Sequence, residues 1–156
     1  MRRKDREVTD FNKILDIIRR CDCCRLGLYD NGGVYIVPMN FGILLSDGRL
    51  SLYFHSAVQG RKIDILKSGG RVGFEMDTDH EVVVDKQSCR CSFLYSSVIG
   101  SGNAVIVSDP WEKKRGLKLI LDHYEDKSDR DFSDAVLERT AVIRLDITEL
   151  SCKQHK

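Results

Sequence analysis

Hydrophobic positions change period several times along the chain, and each change marks an element. Phe11, Ile14, Leu15, Ile17 and Ile18 recur at helical spacing with Lys13, Asp16, Arg19 and Arg20 between them. That predicts an amphipathic helix over about residues 10–21, started by Thr9 or Asp10. From Arg25 the pattern becomes short runs rich in Val, Ile, Tyr and Phe: Arg25 to Tyr29, Val34 to Leu45 and Leu50 to His55. Asp30-Asn31-Gly32-Gly33 and Ser46-Asp47-Gly48 punctuate them, which reads as two successive hairpins. A helical pattern returns from Ala57 to Lys67 through Val58, Ile63 and Leu66, and Ser68-Gly69-Gly70 stops it. Strands resume at Arg71 to Asp77, Glu81 to Val84 and about Phe93 to Val107. Pro110 suits the first turn of a third helix, with Trp111, Leu117, Ile120, Leu121 and Tyr124 on its buried face. Asp122 to Asp134 reads as a polar connection and Ala141 to Ile147 as a final strand. Six or seven strands with three modest helices predict a mainly β protein, a small antiparallel barrel rather than a doubly wound sheet.

The chain has 156 residues, of which 42% are apolar and 31% charged, enough for one ordinary core. The expected organisation is a single domain over residues 1–156, with about residues 150–156 as a C-terminal tail. Twenty-five Lys and Arg against 24 Asp and Glu leave a net charge of +1, so a basic nucleic-acid footprint is missing and any anion must be bound locally. No apolar run reaches membrane-span length and no signal-type segment opens the chain, so the expectation is a cytoplasmic protein with no membrane partner.

Six cysteines, Cys21, Cys23, Cys24, Cys89, Cys91 and Cys152, stand in two clusters and one single position. Without a secretory context they read as free thiols, some in the core and some on the surface. A thiolate metal site is the alternative, but the spacing is not that of a usual zinc knuckle and neither cluster carries a histidine. No metal is therefore assigned.

The segment Leu50-Ser51-Leu52-Tyr53-Phe54-His55-Ser56-Ala57-Val58-Gln59-Gly60-Arg61-Lys62-Ile63-Asp64 passes from a strand directly into a helix. Ser56, Gly60 and the amides around Arg61 suit a phosphate, and Arg61 and Lys62 would neutralise it. Cations in a first helical turn oppose the helix dipole by about 0.3–1 kcal/mol, which a bound anion would offset. A solvated basic patch is the competing reading. In Tyr35-Ile36-Val37-Pro38-Met39-Asn40-Phe41-Gly42 a proline interrupts a strong strand pattern, which suits a sheet edge or bulge with backbone groups left for a ligand. Such a segment matches the mixed donors and acceptors of a flavin ring; an ordinary edge strand with a core methionine is the alternative. Alternation places His55 with Ser51 and Tyr53, away from Leu50, Leu52 and Phe54. No Ser-His-Asp set or carboxylate pair stands out, and neither a P-loop nor a dinucleotide fingerprint is present.

Taken in order, these segments resemble the pyridoxamine-phosphate-oxidase-like flavoproteins, and within them the nitroimidazole-resistance branch of the FMN-binding split β-barrel. Arg25-Leu26-Gly27-Leu28, V-P-M-N-F-G at residues 37–42, Y-F-H-S-A-x-x-G-R-K-I-D at residues 53–64, Tyr95 to Gly102 and Arg139 to Leu145 carry the resemblance along nearly the whole chain. It implies a six- to seven-stranded antiparallel split barrel and a homodimer with flavin at the subunit interface. By the same resemblance Ser56, Arg61 and Lys62 hold the FMN phosphate, Gly60 adjoins it, and Val37, Pro38, Met39 and Asn40 line the ring. Tyr95, Ser97 and Val98 come from the facing strand or the partner subunit. His55 lies beside the flavin as the candidate reactive residue or as a cofactor contact. Many relatives end in Thr-Gly-Lys near the flavin where this chain has Ser151-Cys152-Lys153; Lys153 matches, while Cys152 puts close backbone approach in doubt.

The resemblance places FMN ahead of FAD or haem. The leading reading is a reductase passing electrons from NADH or NADPH to a small acceptor such as a nitro compound. A non-catalytic flavin- or haem-binding sensor or carrier is the alternative. The arginine-rich tail of true pyridoxamine-phosphate oxidases is not apparent, which argues against vitamin B6 oxidation.

Overall fold

The computed structural model describes residues 3–30, 32–84, 91–125 and 130–156. After a 3-10 turn at Lys4–Arg6, the elements in chain order are β1 (Glu7–Val8), α1 (Phe11–Arg20), β2 (Cys24–Asp30), β3 (Gly33–Met39), β4 (Gly42–Ser46), β5 (Arg49–Ala57), α2 (Arg61–Lys67), β6 (Arg71–Val83), β7 (Ser92–Val107), α3 (Pro110–Tyr124), α4 (Asp134–Arg139) and β8 (Thr140–His155). The described strands form one antiparallel sheet in the order β3-β2-β6-β7-β8-β5-β4, and β1 pairs with the end of β8. The expected six to seven strands thus become eight because of the two-residue β1. Among the described residues the sheet is not closed by hydrogen bonds. Its two outermost strands, β3 and β4, are nevertheless joined by Asn40 and Phe41 alone. A link of two residues spans only about 10 Å, so the sheet must roll up until its ends nearly meet, which is the split barrel.

Alternation along the strands sorts residues to two faces. Leu50, Leu52, Phe54, Phe74, Met76, Val98, Ile143 and Leu145 point inward to one core, where α1 adds Ile14, Leu15, Ile17 and Ile18 and α2 adds Ile63 and Leu66. A second core lies outside, where α3 and α4 press Leu117, Ile120 and Leu137 onto Tyr53, Val107 and Val142. Asp10, rather than Thr9, caps α1, accepting from the amides of Asn12 and Lys13 at 2.9 and 3.3 Å.

Several expected boundaries move. The run from Val34 to Leu45 is two strands, because Phe41 turns inward at the link, fully buried, and its amide donates to Tyr124 Oη at 3.2 Å. Arg71 to Asp77 and Glu81 to Val84 are one strand with an irregularity between Thr78 and Glu81. Asp79 takes φ 59° there, a conformation aspartate tolerates better than most. The final strand runs through residues expected to be a tail, since Leu150 and Cys152 continue the inward alternation after an extra residue at Thr148. α4 begins at Asp134, where the segment read as a polar connection ends, and fills residues that were assigned to no element. Trp111 is 80% exposed rather than buried; six residues before Leu117 on a 100° period, it lies well off the stripe that Leu117 and Ile120 define.

Asp79 also ties β6 to the end of α1. Its carboxylate accepts from Arg20 Nη2 and from Ser96 Oγ, both at 2.7 Å. The Arg20 bond holds its pKa below the ordinary 3.8. A lowered native pKa means that the unfolded chain takes up this proton first, so the contact stabilises above the ordinary value and fades as pH falls below it. Both partners are over a third exposed, which keeps the effect small. In Arg20→Gln the Asp79 midpoint followed by NMR titration is expected to rise toward its ordinary value; an unmoved midpoint would mean that the pair does not operate in solution.

Candidate functional site

The residues singled out from the sequence fall into two groups. The first lies where β3, the end of β5 and the start of α2 converge. Tyr35 is half-buried on β3, and the Arg61 guanidinium sits 4.5 Å from its ring centroid. Arg61 Nε also donates to Asp30 Oδ2 at 2.8 Å, so the β2–β3 hairpin and the start of α2 are clasped together. Gly60 has φ 128°, which lets the chain turn from strand into helix where a side chain would be strained. α2 has only seven residues and no side-chain cap. Any helix-dipole contribution is correspondingly small, and the cations carry the electrostatics. Lys62 is half-buried and makes no ion pair among the described residues. A partly desolvated ammonium without a counter-ion is what an anion site requires.

β3 is an edge strand, as Pro38 suggested: Pro38 is exposed and pairs on its one occupied side with Arg25. Val37 is half-buried and Asn40 is exposed in the link. Met39, by contrast, is only 7% exposed and packs into the inner core, so its side chain offers no face to a ring. Ser56 and His55, adjacent at the end of β5, point to opposite faces. Ser56 is half-buried opposite Ala141, while His55 is exposed opposite Val142 and has no hydrogen-bond partner among the described residues.

The second group lies on the outer face of β7 and β8. Ser97 pairs with Lys153 and Ile99 with Ser151, and these four side chains line a shallow cavity of about 290 Å³. Tyr95 is half-buried beside His155, ring centroids 6.3 Å apart. Val98 is fully buried, so only its backbone can meet a ligand. Cys152 faces Val98 in the inner core, where burial pushes its thiol up to about 11. Its side chain therefore leaves the outer backbone open, and the substitution of cysteine for a small residue is accommodated inside.

The other cysteines divide similarly. Cys21 and Cys24 are buried, and burial raises both thiols, Cys21 to about 12. Cys23 is half-exposed and Cys91 exposed; Cys89 lies outside the described residues.

Between the two groups runs a feature that sequence inspection missed. Pro38, Arg25, Glu75, Ile99 and Ser151 form one cross-strand row on the outer face. Arg25 donates to Glu75 at 3.1 Å and to Asp77 at 2.7 Å. Glu75 is raised above its usual range by burial and by Asp77, partly offset by Arg25. The alternation Glu75-Met76-Asp77 was the available signal, but alternation marks a face without saying what meets it. A second missed network joins Tyr53 Oη to Glu112 at 3.0 Å and Glu112 to Arg144, with Arg144 also held by Asp146. It anchors α3 to β5 and β8.

The pyridoxamine 5'-phosphate oxidase family model matches residues 10–154, and the chain belongs to that family. Among solved structures it resembles a Bacteroides thetaiotaomicron protein named for 5-nitroimidazole antibiotic resistance, with 30% identity and TM-score 0.82, over 94% of this chain and 85% of that one. A protein from Mycobacterium smegmatis described as binding FAD and haem shares the fold at 20% identity and TM-score 0.83, covering 97% and 74% of the two chains. A flavocytochrome from Azotobacter vinelandii does so at 23% and 0.80, covering 100% and 72%. No curated protein matches the chain at a significant level. None of the helices among the described residues is long and apolar enough to cross a membrane.

Proposed function

We propose that this protein binds a flavin nucleotide and serves as a reductase that passes electrons from NADH or NADPH to a small planar acceptor, such as a nitroimidazole. The observation that carries the reading is the convergence of Arg61, Tyr35 and the uncompensated Lys62 beside a proline-interrupted edge strand, in a chain of this family. Arg61 and Lys62 hold the phosphate and Ser56 donates its hydroxyl, while the backbone of Val37 to Asn40 meets the ring. FMN is the smallest cofactor that satisfies these contacts. When bound, the flavin supplies hydride and single-electron chemistry.

The chain's own residues bind and orient. Edge-strand N–H and C=O groups fix the ring, Arg61 is pre-positioned by Asp30 and Tyr35, and exposed His55 contacts the substrate at the end of β5. The second group completes the site from a second copy of the chain. β3 and β7 are separated by β2 and β6, three strand spacings or about 14 Å along the sheet. A ring lying on β3 of one protomer thus reaches Ser97 and Lys153 more readily on its partner, which supports a homodimer with flavin at the interface. Because His55 lacks a proton-relay partner among the described residues, a flavin or haem carrier without catalysis is the second reading.

The purified protein is expected to show a two-band flavin spectrum, to bleach anaerobically with NADH or NADPH, and to recover its colour when a nitroimidazole is added. Colourless protein that ignores added FMN and FAD would overturn the flavin assignment. Flavin-loaded protein that neither donor reduces would leave the carrier reading.

A further inference from the structure

The end of β8 meets the 3-10 turn at Lys4–Arg6, β1 and the start of α1 around a cavity of about 340 Å³, which shares no lining residue with either group of candidate site residues. The charges that line it do not balance. Arg3 is taken up by Asp5, whose carboxylate accepts from Nε and Nη2 at 2.9 and 2.7 Å. That leaves Arg6, Lys13 and Lys156 facing Glu7 as the one other carboxylate side chain of the lining. None of these three cations forms an ion pair among the described residues.

Arg6 is the most telling of them. Two arginines among the described residues are half-buried, Arg144 and Arg6. Arg144 is held by Glu112 and Asp146, whereas Arg6 has no carboxylate partner there and its Nε is buried without an acceptor. Arg6 Nη2 does lie 3.2 Å from His155 Nε2. His155 Nδ1 is 2.9 Å from the Phe93 carbonyl oxygen, which can only accept, so Nδ1 carries the proton and Nε2 offers Arg6 a lone pair. That imidazole is neutral and brings no counter-charge to the guanidinium. A buried N–H without an acceptor and a half-buried cation without a counter-ion are both costly to leave unmet.

We infer that this cavity binds a small doubly charged oxyanion, the phosphate of inorganic phosphate or of a small phosphate monoester. Arg6 Nε donates the directed hydrogen bond, while Lys13 from α1 and Lys156 from the end of β8 add charge from two further elements. A single carboxylate would be met by the guanidinium alone; three cations from three elements suit a dianion. The volume lies near the lower end of the roughly 300–1,000 Å³ of ligand sites. His155 is the one ring in the lining, so a nucleotide base finds neither room nor a stacking face. The occupant would act as a fastener, because Glu7 and Val8 pair with Lys153 and Cys152, and an anion held between Arg6 and Lys156 ties the N-terminal turn to the last strand. The site stands apart from the flavin reading.

Calorimetric titration of the full chain with inorganic phosphate, glycerol 3-phosphate and malonate tests this. It is run on the native protein and on Arg61→Ala combined with Lys62→Ala, which removes the other candidate phosphate site. Phosphate is expected to bind in both, to raise the melting temperature and to shift the Arg6 Nε–H resonance. Arg6→Gln should weaken it at least tenfold and Lys13→Ala at least threefold, while Arg49→Gln, which removes an exposed arginine elsewhere, should change nothing. Should Arg6→Gln fail to fold, Lys13→Ala, exposed on α1, decides by its own threshold. Glycerol 3-phosphate binding more tightly than phosphate identifies a phosphorylated metabolite as the source; equal or weaker binding identifies free phosphate. Absence of phosphate binding in the double variant, binding untouched by Arg6→Gln and Lys13→Ala, or malonate bound as tightly as phosphate overturns the inference. Phosphate bound through Arg6 in a protein that ignores FMN and FAD supports this site and removes only the flavin reading.

Discussion

Arg61→Ala combined with Lys62→Ala is expected to strip the flavin from the purified protein while leaving the fold intact. Each cation contributes a charge-assisted contact to the phosphate of about 1.5–3 kcal/mol, so each single variant should lose roughly 10- to 100-fold in affinity. The two losses need not add. Arg61 also clasps Asp30 and lies on Tyr35, so its removal loosens the β2–β3 hairpin at the point where the ring docks. Lys62 makes no such contact among the described residues, and Lys62→Arg should restore part of the affinity that Lys62→Ala loses. Little stability is at stake, because the Arg61 side chain is 61% exposed and its ion pair with Asp30 is screened. Flavin content measured by absorbance after gel filtration, alongside the melting temperature, separates the two effects. Full retention in the double variant would remove the phosphate from this end of α2.

Gly42→Ala is expected to produce a large loss of stability. Gly42 closes the V-P-M-N-F-G motif, and its role is close approach rather than an unusual backbone angle. A Cβ there would lie 2.5 Å from the Ile120 amide nitrogen, against the backbone of α3. Neither backbone can yield by rotating a side chain, so α3 must lift away from β4. Overpacking of this kind costs about 3 kcal/mol, and for a chain of this size that lowers the melting temperature by roughly 6–12 °C. Gly27→Ala is the control, since its nearest neighbour would be the Gly73 carbonyl oxygen at 3.7 Å, an ordinary contact. Similar melting curves for the two variants would show that α3 gives way at little cost.

The local vocabulary of the fold was legible in the sequence because period and punctuation are local properties. The two hairpins, Asp10 or Thr9 before α1, Pro110 at the start of α3 and the edge character of β3 all follow from a handful of neighbouring residues. What was hidden depends on partners distant in the chain. Nothing near Ser151 says that β8 continues to His155, because that continuation is dictated by β7 on one side and β1 on the other. Trp111 was assigned to a buried face by its composition, whereas the phase of Leu117 and Ile120 excludes it.

The candidate site shows the same division. Arg61, Lys62 and Ser56 could be named from a strand running into a helix, but not that the side chains of Met39 and Val98 turn into the core and leave only their backbone for a ligand. Telling an inward from an outward residue on a long apolar strand requires its register.

The position of β8 has a consequence for biosynthesis. It lies between β7 and β5 in the middle of the sheet, yet it is the last of these strands to leave the ribosome. Until then the nascent chain exposes two long unpaired edges, on β5 and on the sixteen residues of β7, each a template for pairing with another chain. A message truncated just before Thr140 should therefore yield a sticky, chaperone-dependent product rather than a slightly smaller barrel.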